Sequence, residues 1–525
     1  MPAPANLYEN DVDFTTLALQ YPQFAKKLKP NGQLDFSDPE SVRQLTKSLL
    51  HRDFDLTIDL PEDRLCPPVP NRFNYILFIQ RLLDDTSPDW HEGYDPNRTV
   101  IGLDIGTGSS AIYPLLACRQ RPAWRFLATE IDEKNRTYAL QNITANDFQS
   151  RIKLVNTDPT GQTLLPVEEI VRMGIERIDI VMTNPPFYPS SSSLLESAHK
   201  KSRPPHSSCT GAPIEMITPG GEVAFVSRLI DESYSLSLSK ARRGTLTSGP
   251  RLRIQWFSSM LGKLSSVSEI VEALKSRDCT NFAVTEFVQG SQAQKKAKTR
   301  RWCVAWSWMG FRPGVNVSRG VSGSSGVEKR LLPAPTEYDF EVEVAAADTD
   351  TDVGAVERKL NQEMAKLDSI QWRYLSERRV GMFLSPQGDV WSRKARRKKQ
   401  QQQTQQAQSQ TQVHQRTTTN KDKTRARGNP EDAEADQDEE MTNRGQVSND
   451  QAEDEGKDHE DEEDEEPALV VRISVIPPII PSTTSTASTS KNTKVHIHIR
   501  HLQGQEPVLF ESFCGWLKRK ITTTT

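Results

Sequence analysis

The chain of 525 residues predicts an α/β fold: an open, mainly parallel sheet covered on both faces by helices, with an α-helical preface and a small α+β unit after it. Three observations predict this. Apolar runs of strand length alternate with helix-length segments from Thr99 to Thr183, the pattern of a parallel sheet buried on both sides. The first of these runs ends on a Gly-x-Gly turn, Gly106-Thr107-Gly108. Apolar residues make up only 35% of the chain, because a polar tract over 396–466 dilutes the folded parts.

Residues 1–95 read as a helical extension. Leu17, Leu19, Tyr21 and Phe24 recur at short apolar spacing, residues 39–50 carry the three-to-four spacing of an amphipathic helix, and another helix is expected over 73–83. From Thr99 the rhythm changes. Strands are expected over 99–105, 124–129, 152–156 and 178–183, with helices over 109–118, 132–146 and 167–174 between them. A helix over 223–237 follows, then strands over 252–258, 283–289 and 302–308. A basic loop joins the last two, which predicts an antiparallel edge. This domain spans 96–312, and a Gly/Ser/Val-rich linker, 313–333, ends it.

Residues 334–395 and 467–525 read as two halves of one α+β domain split by an insertion. Strands are expected over 338–344, 468–476 and 494–500, helices over 356–375 and 508–520, and a hairpin from 380–384 and 390–393. The insertion, 396–466, is a Gln/Thr tract followed by an acidic run. It cannot bury enough apolar area to offset its ordering entropy and is expected to be disordered.

Charge is unevenly spread. Between Pro430 and Pro467 stand 19 acidic and 2 basic residues, a charge of −17, which leaves +13 for the rest of a chain whose total is −4. A cationic folded part suits an anionic partner such as nucleic acid. No stretch has the length of a membrane span, and residues 1–14 show no signal-peptide core. The six cysteines (Cys66, Cys118, Cys209, Cys279, Cys303, Cys514) form no Cys-x-x-Cys pair, and the nine histidines form no ligand pattern. Neither a disulfide framework nor a metal is expected, and the compartment reads as reducing and intracellular.

Three motifs carry the chemistry. Glycines at the end of the first strand let backbone approach a ligand at the carboxyl edge of the sheet. The turn is neither a full dinucleotide fingerprint, since position 111 is Ala, nor a Walker loop, since it lacks the lysine. Glu130 closes the next strand, where a carboxylate commonly accepts hydrogen bonds from ribose hydroxyls. Together these suit an adenosyl ligand without a pyrophosphate. Asn184-Pro185-Pro186-Phe187 follows the fourth strand. Two prolines cannot continue a central strand, so the turn is expected over the same edge as the glycines. There the Asn184 side chain and the Pro185 carbonyl can face a planar amine, and Phe187 can stack on a base.

Asp104-Ile-Gly-Thr-Gly108, Glu130 and Asn184-Pro-Pro-Phe187 resemble the class I, Rossmann-like S-adenosylmethionine-dependent methyltransferases of amino groups. Asn71-Arg-Phe-Asn-Tyr75, Ile112-Tyr-Pro-Leu-Leu116, Phe126-Leu-Ala-Thr-Glu130, Met260-Leu-Gly-Lys263, Thr285-Glu-Phe287 and Arg301-Trp-Cys-Val-Ala-Trp306 narrow the likeness. They resemble the U6 small nuclear RNA adenine-N6 methyltransferases, the methyltransferase-like sixteen family, whose bacterial relatives modify ribosomal RNA. The split C-terminal domain is similar in pattern to the accessory RNA-binding region of vertebrate members.

The resemblance implies S-adenosyl-L-methionine as cofactor. Arg72 would bind its methionine carboxylate, Gly106 and Ser110 would line its backbone-facing side, Glu130 would hold its ribose, and Thr163 would lie near its adenine. Asn184, Pro185, Pro186 and Phe187 would be catalytic, Asn184 touching cofactor and target amine alike. Basic residues are read as the RNA grip: Lys200, Lys201 and Arg203 after the catalytic turn, Arg242-Arg243 with Arg251 and Arg253 around a loop, Lys263, and Arg300 and Arg301 before Trp302. The basic run 393–399 suits a nuclear-import signal or an RNA patch. A nuclear monomer acting on U6 small nuclear RNA is the leading expectation, with a cytoplasmic pool left open. Ribosomal RNA as substrate, a glutamine-N5 methyltransferase of release factors, and a dormant RNA-binding scaffold remain as alternatives.

Two departures from the family pattern stand out. Gln162 occupies a position where relatives often carry Lys, and residues 6–14 are acidic where relatives present a basic arm.

Overall fold

The computed structural model describes residues 6–200, 211–242, 252–288, 300–344, 349–395, 397, 400–401, 466–478 and 493–523. The extension consists of α1 (Phe14–Gln20), α2 (Pro22–Ala25), α3 (Pro39–Phe54) and α4 (Val69–Asp85). Asp38 starts α3 by accepting the Glu40 and Ser41 amides, with Pro39 at the first helical position, and Asp55 ends it in the left-handed conformation.

Then come β1 (Val100–Ile105), α5 (Ile112–Gln120), β2 (Trp124–Thr129), α6 (Glu133–Ala145), β3 (Ile152–Leu154), α7 (Val167–Arg172), β4 (Arg177–Thr183), α8 (Ser191–Lys200), α9 (Pro213–Met216), α10 (Gly221–Arg242), β5 (Arg253–Leu261), α11 (Leu264–Lys275), β6 (Phe282–Val288), β7 (Arg300–Trp306), α12 (Val315–Ser318) and β8 (Arg319–Gly320). The strands lie in the order β3-β2-β1-β4-β5-β7-β6-β8. Strands β3, β2, β1, β4 and β5 are parallel. Strand β7 runs antiparallel between β5 and β6, so the antiparallel strand is internal and not the expected edge. The edge is β8, which pairs in parallel with β6 and comes from the segment expected to be a linker. Thr285 Oγ1 donates to the Gly320 carbonyl at 2.9 Å and fixes it there.

Two cores flank this sheet. One joins α3, α4 and α5 to Trp124, Phe126, Ile180, Met182, Trp256 and Met260, so the N-terminal helices cover a face of the sheet. Tyr8 belongs to this core: it packs edge-on against Phe73 and donates its hydroxyl to Asp53 at 2.6 Å. The acidic N-terminal segment is therefore pinned to the extension. The other core lies beneath α10 and α11, against Val181, Phe257, Val304 and Trp306. Burying each such side chain contributes about 1.5–3 kcal/mol.

The C-terminal unit contains β9 (Glu337–Val344), α13 (Thr349–Met364), β10 (Gln371–Leu375), β11 (Val380–Ser385), β12 (Leu469–Ile476), β13 (Thr493–Gln503) and α14 (Pro507–Thr522). They form an antiparallel sheet, β10-β11-β12-β13-β9, with its own core. Segments on either side of the insertion pair directly, Ser385 opposite Leu469. Two expectations fail here. The helix expected over 356–375 stops at Met364, because Ser369 takes a left-handed turn and Gln-Trp-Arg-Tyr-Leu then alternates as β10. The hairpin is β10 with β11; no strand forms over 390–393, where Trp391 is instead buried against Phe383 and Phe513. The acidic run of the insertion lies outside the described residues apart from its last member, Glu466.

Candidate active site

The carboxyl ends of β1 and β4 open onto a cavity of about 430 Å³. Gly106 and Gly108 take φ of +73° and +65°, which a side chain would disfavour, and the turn folds back so that the Gly106 and Thr107 amides donate to the Thr129 carbonyl at 3.1 and 2.9 Å. Helix α5 begins at Ile112, three residues later than expected. Ala111 is itself left-handed, so residues 107–110 stay in the turn and line the cavity.

Every residue implied for the cofactor faces this one cavity: Arg72, Gly106, Ser110, Glu130, Thr163 and Asn184. Arg72 is buried and has no carboxylate partner among the described residues. One guanidinium nitrogen donates to the Tyr113 hydroxyl at 2.6 Å, and its Nε has no partner. Glu130 accepts the Gly108 amide at 2.8 Å and the Asp132 amide at 2.9 Å, and burial pushes its pKa up. Asp104, under the turn, is fully buried and pushed up to about 7, mainly by desolvation. The Thr107 hydroxyl opposes that shift, although neither closes a fully formed hydrogen bond. Asn184 Oδ1 is a buried acceptor without a partner.

The Asn-Pro-Pro-Phe turn divides its residues. Asn184 and Pro186 line the cavity, and Pro185 between them is buried. Phe187 does not line it but lies beside it, its ring against Gly262. The next residue is stitched to the segment before α10: the Tyr188 amide donates to Met216 and the Thr218 amide to Tyr188, both at 3.0 Å.

The expected RNA residues scatter more widely. Arg253 opens β5 and pairs with Arg177 at the opposite end of the sheet, about 26 Å of strand from the active edge, so its expected place near the site is wrong. A parallel strand carries only its last residues to the carboxyl edge. Arg300 and Arg301 do stand at that edge, because β7 runs antiparallel to β5. Arg300 is paired with Glu286 at 3.0 Å, and burial lowers the pKa of Arg301, with Arg72 nearby adding to the effect. Lys263 caps the start of α11 at the same edge. Lys200 ends α8, while Lys201, Arg203 and Arg251 lie outside the described residues.

Sequence reasoning missed several groups. Glu215 reaches the cavity wall and accepts from Leu65, Ala212 and Asn135. Arg228 donates to the Gly161 carbonyl, and Glu232 accepts the Leu164 and Leu165 amides, so α10 holds the loop that carries Thr163. Asp158 accepts the Thr160 hydroxyl and the Thr160, Gln162 and Thr163 amides, and is lowered to about 2, most by the hydroxyl and then by the amides. Only Asp158, before Pro159-Thr-Gly161, gave a turn signal. Among the described residues no group of His, Cys, Asp and Glu could hold a metal, and no helix is long and apolar enough to cross a membrane.

A sheet edge built this way, with a glycine turn lining a cavity and a second turn beside it, is the arrangement of the α/β class of methyl-transferring enzymes. The comparisons carry the assignment further. The family model described as RNA methyltransferase matches residues 3–310, and the chain belongs to that family. The chain is 35% identical over 375 residues to the U6 small nuclear RNA (adenine-(43)-N(6))-methyltransferase of Schizosaccharomyces pombe, covering 70% of this chain and 83% of that one. It is 36% identical over 327 residues to human RNA N(6)-adenosine-methyltransferase METTL16, covering 61% of this chain but only 52% of the human protein. Among solved structures, the hMettl16 catalytic domain in complex with the MAT2A 3′UTR hairpin 1 is 35% identical, with a TM-score of 0.47, over 59% of this chain and 96% of that one. The methyl donor of this class is S-adenosylmethionine, and the cavity fits it: an unpaired buried guanidinium for a carboxylate, a buried acid at the second strand, and an unpartnered acid beneath the turn.

Proposed function

We propose that the protein forms N6-methyladenosine in U6 small nuclear RNA, with the target adenine extruded onto the Asn-Pro-Pro-Phe turn. The carrying observation is the buried, unpartnered Asn184 carbonyl oxygen on the wall of the cofactor cavity. The family assignment and the name of the fission-yeast relative support the choice of RNA and base.

When bound, S-adenosylmethionine supplies an electrophilic methyl group on a sulfonium. Arg72 holds its carboxylate and Glu130 its ribose hydroxyls. An aromatic exocyclic amine is a poor nucleophile, because its lone pair is delocalised into the ring. Asn184 Oδ1 and the Pro185 carbonyl accept its N–H groups, favour pyramidalisation and expose the lone pair. Phe187 stacks on the base. Positioning of this kind can supply about 7–11 kcal/mol of the barrier reduction, and the proton leaves afterwards to water.

Lys263, Arg300, Arg301 and the basic residues after α8 hold phosphates on this reading. Residues 96–312 form the catalytic domain, 334–395 with 467–525 an accessory RNA-binding domain, and the enzyme works in the nucleus as a monomer. Labelled cofactor incubated with a U6 transcript and total RNA, followed by nucleoside analysis, tests it. The label is expected in N6-methyladenosine of the U6 fraction, and Asn184→Ala is expected to abolish it. Label in ribosomal RNA alone, or in protein glutamine, overturns the assignment.

A further inference from the structure

The Phe187 ring rests on Gly262. A Cβ built at Gly262 would stand 3.1 Å from Phe187 Cδ1 and 3.3 Å from Glu222 Oε2, so glycine there permits a close approach of backbone to ring. Gly262 sits between the end of β5 and the start of α11, and Lys263, the N-cap of α11, offers no side-chain acceptor. Glu222, in the first turn of α10, supplies what is missing. One carboxylate oxygen accepts the Gly262 amide at 2.7 Å; the other accepts the Lys263 amide at 3.2 Å and the Ser266 hydroxyl at 2.5 Å. Glu222 is 2% exposed, and among the described residues its carboxylate accepts hydrogen bonds from residues 262–266. Arg301, at the rim of the same region, is attracted to it. The start of the same helix also approaches the other side of the turn closely, since a Cβ at Gly221 would meet the Phe187 carbonyl at 3.3 Å.

From this we infer that Glu222 is a positioning residue for methyl transfer: by fixing the Gly262 backbone it sets the plane on which Phe187 receives the target base. The inference rests on the base-stacking reading of Phe187. A buried carboxylate bound to two amides would also stabilise α11, so loss of stability alone does not separate the two roles, and coupling to Phe187 does.

The test is a double-mutant cycle on the full chain with U6 transcript at saturating cofactor, using Glu222→Ala, Phe187→Ala and the pair, with Glu222→Gln as the conservative variant. Glu222→Ala is expected to lower kcat about tenfold to a hundredfold, in line with the cost of misplacing a reacting group by about 1 Å, with cofactor affinity unchanged. Glu222→Gln, which keeps an acceptor for Gly262, is expected to lose less. In the Phe187→Ala background the Glu222→Ala loss is expected to shrink to about twofold or less. An equal loss in both backgrounds overturns the inference and leaves Glu222 a helix cap. Wild-type turnover by Phe187→Ala overturns the stacking reading itself. Should Glu222→Ala not fold, Gly262→Ala takes its place in the cycle with the same expected coupling, because its methyl displaces the ring directly.

Discussion

Asp104 shows how much of this site is held out of balance by burial. Its carboxyl is pushed up to about 7 mainly because it has lost water; Thr107 and Arg72 offset the rise only in part, and the Glu130 charge adds to it. An ordinary aspartate ionises near pH 4. Between those values the unfolded chain has released a proton that the folded chain still holds, so raising the pH favours unfolding. We predict that the stability of the wild-type chain relative to Asp104→Asn falls as pH rises from about 4 to 7, by up to about 4 kcal/mol, and is constant above. Denaturant unfolding of both chains across that range checks it, and a difference independent of pH would contradict it. Asp104 was legible only as part of a motif; its complete burial without a fully formed hydrogen bond was not.

At the scale of elements, strand ends were easy to read and their supports were not. Gly106, Glu130 and Asn184 each follow an apolar run, and a run of that kind must end at a sheet edge. Arg228, Glu232 and Glu222 sit on α10, where a sequence shows only charged residues spaced along a helix. Their roles depend on which loop the helix crosses, which is a tertiary fact. The same limit explains Arg253, whose charge was legible and whose end of the strand was not. Helix α10 thus carries two supports, one under the Thr163 loop and one under Gly262. We predict that Glu232→Ala strips the Leu164 and Leu165 amides of their acceptor. It should cost about 1–3 kcal/mol in denaturant unfolding and weaken cofactor binding severalfold, without Glu232 touching the cofactor. Unchanged cofactor affinity in a titration would show that the loop holds its shape alone.

Across the whole molecule, three parts converge on the catalytic sheet. The helical extension covers one face and brings Arg72 into the cavity. The C-terminal unit docks at the other end of the chain's path. Arg312, buried, donates to the Gly504 and Gln505 carbonyls; Arg500 pairs with Asp85 at 3.5 Å; and Arg472 pairs with Glu92 at 2.5 Å. Glu466, at the end of the insertion, accepts the Gly310 amide at 3.0 Å, so the described end of the acidic stretch is tied to the docking junction. Composition leads to the expectation of an insertion between two halves of an α+β unit. It gave no sign that the unit would be clamped to the methyltransferase domain, because the clamp consists of single arginines meeting carbonyls and carboxylates far apart in sequence.

The proposed function requires of these parts one cavity that holds a methyl donor against an extruded adenine. Crystallising the full chain with S-adenosylhomocysteine and a U6 hairpin, and locating both ligands, tests that most directly. We predict the cofactor carboxylate at Arg72, its ribose at Glu130, and the adenine amine at Asn184, one methyl group's reach from the sulfur. Cofactor bound elsewhere, or a base that contacts the protein while remaining stacked in its helix away from Asn184 and Phe187, would contradict it.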